Sequence, residues 1–266
     1  MPQLADSHTH LDHFPPDEIP EVLQRAAAAD VGLMICAGTT LQSSRACVKL
    51  ASRYRALYAG VGLHPMDLPE PLDDGTYQAL EELTQENPKV VCISEIGLDF
   101  LPTSPDREVQ FKAFRRQIGL ARELRKPVIF HSRESYPEVL RILREERADE
   151  VGGVAHYFQG DESTAKEAMD LGFFISLAKP LLRLPELQEV ARNLPLERIV
   201  LETDSAPQPW KKYRRNWTEP CHLPQVAEKL AELQGIPVEE VVERTTDNLL
   251  GLLKLDRSAL VEATST

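Results

Sequence analysis

Residues 3–12 read Gln-Leu-Ala-Asp-Ser-His-Thr-His-Leu-Asp, and they decide between two kinds of α/β fold. The segment Gln3–His8 is predicted as the first strand, and His10 follows just after its end. An open, doubly wound sheet that binds a dinucleotide would carry a glycine-rich turn of the form GxGxxG at this point. The segment His-Thr-His-Leu-Asp contains no glycine, so the sequence favours a closed barrel over that open sheet.

Short apolar segments alternate with longer amphipathic ones along the rest of the chain, as is typical of buried parallel strands joined by helices. The other predicted strands are Gly32–Ala37, Leu57–Leu63, Val90–Glu95, Pro127–His131, Gly153–His156, Phe173–Ser176 and Ile199–Thr203. Predicted helices include Glu18–Ala29, Arg107–Leu124, Tyr136–Glu146, Ser163–Leu171, Leu187–Asn193, Leu223–Gln234 and Val238–Leu253. Eight strand–helix repeats with no linker between them predict an α/β protein with a single (β/α)8 TIM barrel over residues 1–255. Residues 256–266 are predicted to form a loosely held tail.

Composition and charge exclude several classes of protein. The 266 residues include 42 acidic and 30 basic ones, and the net charge of −12 argues against non-specific coating of nucleic acid. Contact with a few phosphates at a metal centre is still allowed. The first ten residues lack the features of a signal peptide, and the apolar runs are too short to cross a bilayer. The four cysteines contain no Cys-x-x-Cys pair, which indicates neither a disulfide framework nor a thiolate zinc site. We therefore expect a reduced, cytoplasmic protein without a membrane partner, and a monomer by default.

Five of the seven histidines fall at or just after the ends of predicted strands, together with two acids. These residues are His8, His10, His64, His131 and His156, with Glu95 and Asp204. The active site of a TIM barrel lies at the C-terminal ends of its strands. Histidines with purely structural roles would not be expected to gather at one rim, so the pattern indicates a functional site.

Taken singly, each of these residues also has an ordinary structural explanation. The His-Thr-His segment could be a solvated turn, His131 and His156 could be core histidines or helix caps, and Asp204 could cap a helix. On an extended strand, however, residues i and i+2 point to the same side, so both imidazoles of the His-Thr-His segment can reach one cation. An unpaired Glu95 on an apolar strand would be costly to bury, and a cation removes that cost.

Taken together, imidazoles and carboxylates from five strand ends are the ligands that zinc, manganese, iron and related divalent ions bind. One glutamate can bridge two metals roughly 3.5–4 Å apart. The residues predicted as metal ligands are His8, His10, Glu95, His131, His156 and Asp204.

These motifs make the chain resemble the TatD family of metal-dependent hydrolases, within the amidohydrolase-type barrels. The similarity runs from about Leu4 to Leu253 and includes Asp-Ser-His-Thr-His-Leu-Asp at 6–12, Gly-Leu-His-Pro at 62–65, Glu-Ile-Gly-Leu-Asp at 95–99, Pro-Val-Ile-Phe-His-Ser-Arg at 127–133 and Leu-Glu-Thr-Asp-Ser at 201–205. The resemblance implies two divalent ions, Mg, Mn or Zn. The ligands it implies are His8, His10 and Asp204 for one ion, His131 and His156 for the other, and Glu95 as the bridge.

The same resemblance implies deoxyribonuclease activity, often exonucleolytic, on DNA single strands or ends. Some relatives are associated instead with hydrolysis of aminoacyl esters on tRNA. This chain departs from the family pattern at Ser94, where Gly is common, at Thr9, where Cys is frequent, and at Ala206, where Pro is frequent. Residues 157–160 and 215–220 also differ from the usual pattern. None of these positions is a predicted ligand, so the metal chemistry is unaffected and the substrate is left open.

The reaction predicted from these residues is hydrolysis by a metal-activated water, with Asp204 as proton acceptor and Glu95 as the second catalytic residue. His64 is predicted to orient a phosphate or a metal-bound water, or else to be a hydrogen-bonded loop histidine. Arg133 is predicted to bind a phosphate through a two-pronged hydrogen bond, or else to form a surface salt bridge. Asp99 is expected to order its loop or to support a ligand rather than to bind metal.

The segment at 210–217, after the eighth strand, reads Trp-Lys-Lys-Tyr-Arg-Arg-Asn-Trp. Interleaved aromatic and cationic side chains suit stacked bases and phosphates, although such a run can also be a solvated surface. The residues predicted to bind substrate here are Lys211, Lys212, Arg214 and Arg215.

Two other functions stay open at this point. The same water could attack the carbon of a carboxylic ester or amide, such as an aminoacyl ester on tRNA. The chain could also be a non-catalytic binding protein that has kept the barrel, and the presence of all six predicted ligands argues against that.

Overall fold

The eight predicted strands form a closed barrel of parallel strands arranged in sequence order. The structure is a computed structural model and describes residues 3–68 and 73–261. The strands are β1 (Leu4–Thr9), β2 (Val31–Ala37), β3 (Leu57–Val61), β4 (Val90–Asp99), β5 (Val128–Arg133), β6 (Gly153–Ala155), β7 (Phe173–Leu177) and β8 (Ile199–Leu201). The predicted α/β class and (β/α)8 TIM barrel are confirmed. Strand β4 continues past its predicted end at Glu95, because it pairs with β5 as far as Asp99.

Helices connect the strands and surround the barrel. They are α1 (Ile19–Ala28), α2 (Leu41–Arg53), α3 (Asp74–Glu86), α4 (Arg107–Glu123), α5 (Tyr136–Glu145), α6 (Glu162–Asp170), α7 (Pro185–Asn193), α8 (Leu223–Gln234) and α9 (Val238–Leu253). Helices α2, α3, α4 and α6 begin after residues whose side chains accept a hydrogen bond from the first helical turn, namely Thr40, Asp73, Asp106 and Asp161. Among the helices that the structure describes, none is both long and apolar enough to span a bilayer.

Side chains along a strand alternate between the barrel interior and the surrounding helices, except on β4, where the consecutive residues Val91 and Cys92 both belong to the interior core. On β5, Ile129 belongs to the interior core, whereas Val128 and Phe130 belong to the larger core beneath the helices. The next inward position on this strand is His131. On β8, Val200 is in the interior core, and Glu202 is the next inward residue. The polar groups of the site therefore lie directly on top of the apolar core that fills the barrel.

Helix α9 lies at the opposite, N-terminal end of the barrel. Its Leu249 joins the interior core, and Thr246 Oγ1 donates a hydrogen bond of 2.9 Å to the carbonyl oxygen of Gln3. The first part of the predicted tail, residues 256–261, also contacts this end, where Val261 N donates to the Gly32 carbonyl over 3.0 Å. The last part of the predicted tail, 262–266, lies outside the described residues.

Candidate metal centre and active site

Glu95 lies at the centre of a buried group of imidazoles at the C-terminal ends of the strands. Its Oε2 lies 3.3 Å from Nε2 of His8 and 3.5 Å from Nε2 of His10. Its Oε1 lies 3.0 Å from Nδ1 of His131 and 3.4 Å from Nε2 of His156. The two oxygens of one carboxylate therefore face two separate pairs of histidines.

Asp204 completes the side of the site that contains the histidines of β1. Its Oδ1 lies 3.3 Å from Nε2 of His10. Its backbone N–H donates to the carbonyl oxygen of His8 over 3.0 Å, which ties the end of β8 to the end of β1. The residue has a φ of 52°, in the left-handed region that Asp tolerates better than most residues. The structure thus brings all six predicted metal ligands together.

Some of the imidazoles have a hydrogen-bond acceptor next to the ring nitrogen that faces away from Glu95. This acceptor decides which nitrogen of the ring carries the proton. Nδ1 of His10 lies 3.3 Å from the carbonyl oxygen of Ala37, and Nε2 of His131 lies 3.0 Å from Oδ2 of Asp99. Because each acceptor takes the N–H of its ring, the opposite nitrogen of a neutral imidazole carries a lone pair. A lone pair aimed at a carboxylate is repulsive unless a proton or a metal ion lies between them. This donor set therefore fits a divalent metal.

Glu202, which was not predicted as a site residue, performs the same role for His156. Its Oε1 lies 2.9 Å from Nδ1 of His156 and also accepts a 2.8 Å hydrogen bond from the backbone N–H of Tyr157. Its Oε2 accepts a 2.6 Å hydrogen bond from the hydroxyl of Ser176. The signal in the sequence was a carboxylate at an inward position directly after an apolar strand, where burial without a partner is costly.

The carboxylates make the site favourable for positive charge. Burial lowers the pKa of His156, but Glu202 and Glu95 outweigh it and raise that pKa to about 9. Burial also lowers the pKa of His10, and its hydrogen bond with Asp204 overcomes this and raises the pKa to about 10. Burial raises the pKa of Glu95, yet the surrounding imidazoles hold it well below its usual value. Protons supply the positive charge in the metal-free protein, and divalent cations that bound here would displace them.

His64, a predicted substrate residue, also reaches the centre. Its Nε2 lies 3.5 Å from Oε1 of Glu95. Its Nδ1, however, accepts a 3.1 Å hydrogen bond from the backbone N–H of Met66. A neutral imidazole that accepts at Nδ1 carries its proton on Nε2, so His64 presents a donor to the site rather than a lone pair.

A cavity of about 400 Å³ opens onto these residues. Arg133, which was predicted to bind a phosphate, is one of the residues that line it. The side chain of Arg133 is 55% exposed, and its Nη1 lies 3.6 Å from Oδ2 of Asp99. Asp99 thus lies behind both His131 and Arg133, as expected for a residue that supports a ligand. Tyr157 and Gln159 also line the cavity.

The aromatic and basic segment lies farther out. Of the described residues, those that line the cavity do not include Lys211, Lys212, Arg214 or Arg215. Trp210 is 76% exposed and Tyr213 is 43% exposed. Lys212 and Arg215 lie over the ring of Tyr213, at 5.0 Å and 4.6 Å from its centroid.

Arg214 differs from its neighbours because its guanidinium is occupied. It donates to Oε2 of Glu18 over 2.7 Å and to Oε1 of Glu219 over 2.6 Å. It also lies 4.2 Å above the ring of Trp217. Arg214 therefore holds the segment against α1 and has little freedom to meet a substrate.

Comparison with known proteins finds the same family along nearly the whole chain. The family model described as TatD related DNase matches residues 5–254. The uncharacterized metal-dependent hydrolase YcfH of Escherichia coli K12 is 36% identical over 266 residues, covering 97% of this chain and 98% of YcfH. The 3'-5' ssDNA/RNA exonuclease TatD of Klebsiella pneumoniae is 34% identical over 246 residues, covering 89% of this chain and 92% of that enzyme.

Among solved structures, the chain is similar to YJJV, a TatD homolog from Escherichia coli K12. The two superpose with a TM-score of 0.87 at 31% identity, covering 95% of this chain and 98% of YJJV. The resemblance predicted from the sequence motifs is therefore confirmed.

Proposed function

We propose that this chain, which belongs to the TatD-related DNase family of metal-dependent hydrolases, is a deoxyribonuclease that cleaves phosphodiester bonds at the ends of single strands with two divalent ions. The observation that carries the proposal is the position of Glu95, whose two oxygens face separate pairs of imidazoles. The name of the Klebsiella relative, a single-strand exonuclease, supports the choice of substrate.

In the proposed site, His8, His10 and Asp204 would hold one ion and His131 and His156 the other, with Glu95 shared between them. The assignment is supported by His10, His131 and His156, each of which turns one ring nitrogen toward Glu95 and the other toward an acceptor. The far-side partners Asp99 and Glu202 fix the ring orientation of the second pair, as buried carboxylates do for metal-bound histidines.

Divalent ions, when bound, lower the pKa of water and polarise a phosphoryl oxygen, which is the chemistry that Mg, Mn or Zn would supply here. Asp204 is assigned as the proton acceptor. Its hydrogen bond with His10 and the imidazoles nearby offset burial and hold its pKa below the usual range, so the carboxylate is ionised and can take a proton. His64 then donates its Nε2–H to a phosphate oxygen.

Substrate contacts are assigned in two layers. At the cavity, Arg133 offers its guanidinium to the phosphate next to the cleaved bond. Farther out, Trp210 and Tyr213 are exposed for base stacking, and Lys211, Lys212 and Arg215 add positive charge for the backbone. Arg214 is left out because Glu18 and Glu219 hold it. The predicted cytoplasmic location and monomeric state stay predictions.

The test is metal-dependent cleavage by the full chain. Protein stripped of metal is reloaded with Mg, Mn or Zn and assayed on end-labelled single-stranded DNA, duplex DNA and charged tRNA. Cleavage of the single strand from its ends, lost in Glu95→Ala and His131→Ala and retained in the exposed control Glu108→Gln, supports the proposal. Wild-type rates in both site variants overturn the two-ion site. Deacylation of charged tRNA without DNA cleavage establishes the ester hydrolase in its place.

A further inference from the structure

A second cluster of metal-binding side chains lies outside the histidine centre. It consists of Asp12, in the 3-10 turn Leu11–His13 after β1, Cys36 on β2, and Cys47 on α2. Cys47 Sγ donates to Cys36 Sγ over 3.2 Å, and Cys36 Sγ donates to Oδ1 of Asp12 over 3.5 Å. Both cysteines are fully buried, and the carboxylate of Asp12 is 2% exposed. Three segments that are distant in sequence thus direct two thiols and a carboxylate at one point.

The charges around Asp12 leave room for a cation. Its Oδ2 accepts a 2.6 Å hydrogen bond from the hydroxyl of Ser43 and lies 3.5 Å from Nε2 of His13. Within the described ranges 3–68 and 73–261, Asp12 forms no salt bridge with a Lys or Arg. Because no Lys or Arg compensates the charge of this buried carboxylate, a metal ion bound beside it would do so.

Two of the three donor separations are close to those of a thiolate zinc site, and the three donor atoms all lie within 4.8 Å of one another. Zinc binds sulfur at about 2.3 Å and oxygen at about 2.0–2.2 Å, so tetrahedral donors stand roughly 3.5–3.8 Å apart. The distance of 3.5 Å between Cys36 Sγ and Asp12 Oδ1 already meets this requirement. The distance of 3.2 Å between the two Sγ atoms must open by about half an ångström to meet it.

A fourth ligand can come from solvent. A cavity of about 400 Å³ is lined by Asp12, Ser43 and Ala46, among others. Ser43 and Cys47 are four residues apart on this helix and share a face. Water and ions can therefore approach the carboxylate from the cavity.

We propose that Asp12, Cys36 and Cys47 bind a thiophilic divalent cation, Zn²⁺, at a site separate from the histidine centre. On binding, each thiol releases one proton to solvent, and the two thiolates and the carboxylate coordinate the ion together with one water. The bound ion connects the turn after β1 to β2 and α2. Because this turn follows His10 directly, the ion also stiffens the segment that carries the first histidine pair. Metal binding at this cluster does not depend on the proposed nuclease function.

The experiment uses Cd²⁺ and Co²⁺ as probes on the full chain, stripped of metal and kept reduced with a phosphine that contains no thiol. Thiolate-to-metal charge-transfer absorption in the ultraviolet reports sulfur ligation, which the histidine centre lacks. We expect one equivalent of absorbing Cd²⁺ in the wild type and loss of the absorption in Cys36→Ser and in Cys47→Ser. We also expect Zn²⁺ to displace the probe.

Two sets of controls make the result specific. Cys92→Ser removes a buried cysteine outside the cluster, and Cys221→Ser removes a partly exposed one; both should keep the absorption. Glu95→Gln and His131→Ala disable the histidine centre and should keep it too, which separates this proposal from the nuclease. Absence of the absorption in reduced wild type overturns the proposal even if the cysteine variants do not fold. Its loss in Cys221→Ser, or its survival in both cluster variants, overturns it as well.

Discussion

Oε1 of Glu202 lies 2.9 Å from Nδ1 of His156, on the side of the imidazole that is turned away from Glu95. Glu202 is fully buried and also accepts hydrogen bonds from Tyr157 and Ser176. The carboxylate thus fixes both the orientation of the ring and the position of its proton, without facing the cavity itself. Asp99 has the same relationship to His131, so both histidines on the Oε1 side of Glu95 have an anionic partner.

We expect Glu202→Gln to weaken metal binding by about tenfold or more, within the 10–100-fold range typical of such partners. Glutamine keeps the shape of the side chain but removes the charge that makes the imidazole a stronger ligand. Competition with a chromogenic chelator measures the affinity. The matched control is Glu197→Gln, because Glu197 is exposed and lies four residues before Leu201, the last residue of β8. Equal affinities in the two variants would show that Glu202 has a packing role alone.

Asp204→Asn should lower kcat by about 10²–10⁴-fold, because the amide cannot accept the proton of the attacking water. Asparagine also keeps an oxygen for His10, so the thermal unfolding midpoint should change little. Single-turnover cleavage of end-labelled DNA measures the chemical step. A kcat within a factor of about three of wild type would remove Asp204 from its role as proton acceptor.

His64→Ala should leave the number of bound ions unchanged and lower the cleavage rate by about 10²-fold, as loss of one hydrogen-bond donor to a transition state does. The reason is that Met66 occupies Nδ1 of His64, so that Nε2 carries the proton. Metal content by elemental analysis and the cleavage rate are measured on the same sample. Loss of one ion per chain would instead make His64 a ligand.

Arg214 and Lys212 are expected to behave differently although they are neighbours in a basic run. Arg214→Ala should lower the free energy of unfolding by about 1 kcal/mol, because it breaks partly buried ion pairs with Glu18 and Glu219. Lys212→Ala should keep stability and reduce the salt dependence of DNA binding by about one unit of slope. Denaturant unfolding and binding at several salt concentrations test both. The reverse outcome would mean that Arg214 is the phosphate contact.

Gly97→Ala should cost about 3 kcal/mol or more, because the backbone has a φ of +147° and an added Cβ would lie 2.0 Å from the carbonyl oxygen of His131. The clash would also displace a predicted metal ligand. Gly119→Ala on α4 is the control, since its Cβ meets nothing within 4 Å and alanine favours the helix by about 0.5–1 kcal/mol. Comparable unfolding midpoints for the two variants would contradict the close approach of β4 and β5 at Gly97.

The sequence by itself determined the barrel and the position of the predicted ligands, because both follow from local periodicity. Apolar alternation along a strand predicts which side chains face inward, and parallel strands bring their ends to one rim. His131, two residues after the inward-facing Ile129, must therefore also face inward and lie above the interior core. The convergence of the six predicted ligands needed no further information than this.

Only the tertiary structure decided that Glu202 lies behind His156 and which cations are already paired. Glu202 becomes the partner of His156 because β6 and β8 bring the two residues together although they lie 46 positions apart in the sequence, and no local sequence pattern reports a contact at that separation. Arg214 is bound by Glu18, which lies 196 residues away in the sequence. Cys36 and Cys47 meet because α2 packs on β2 at one particular rotation. Such pairs depend on how helices and strands pack against one another. The packing arrangement is determined by many long-range contacts together, so it cannot be predicted from any single segment of the sequence.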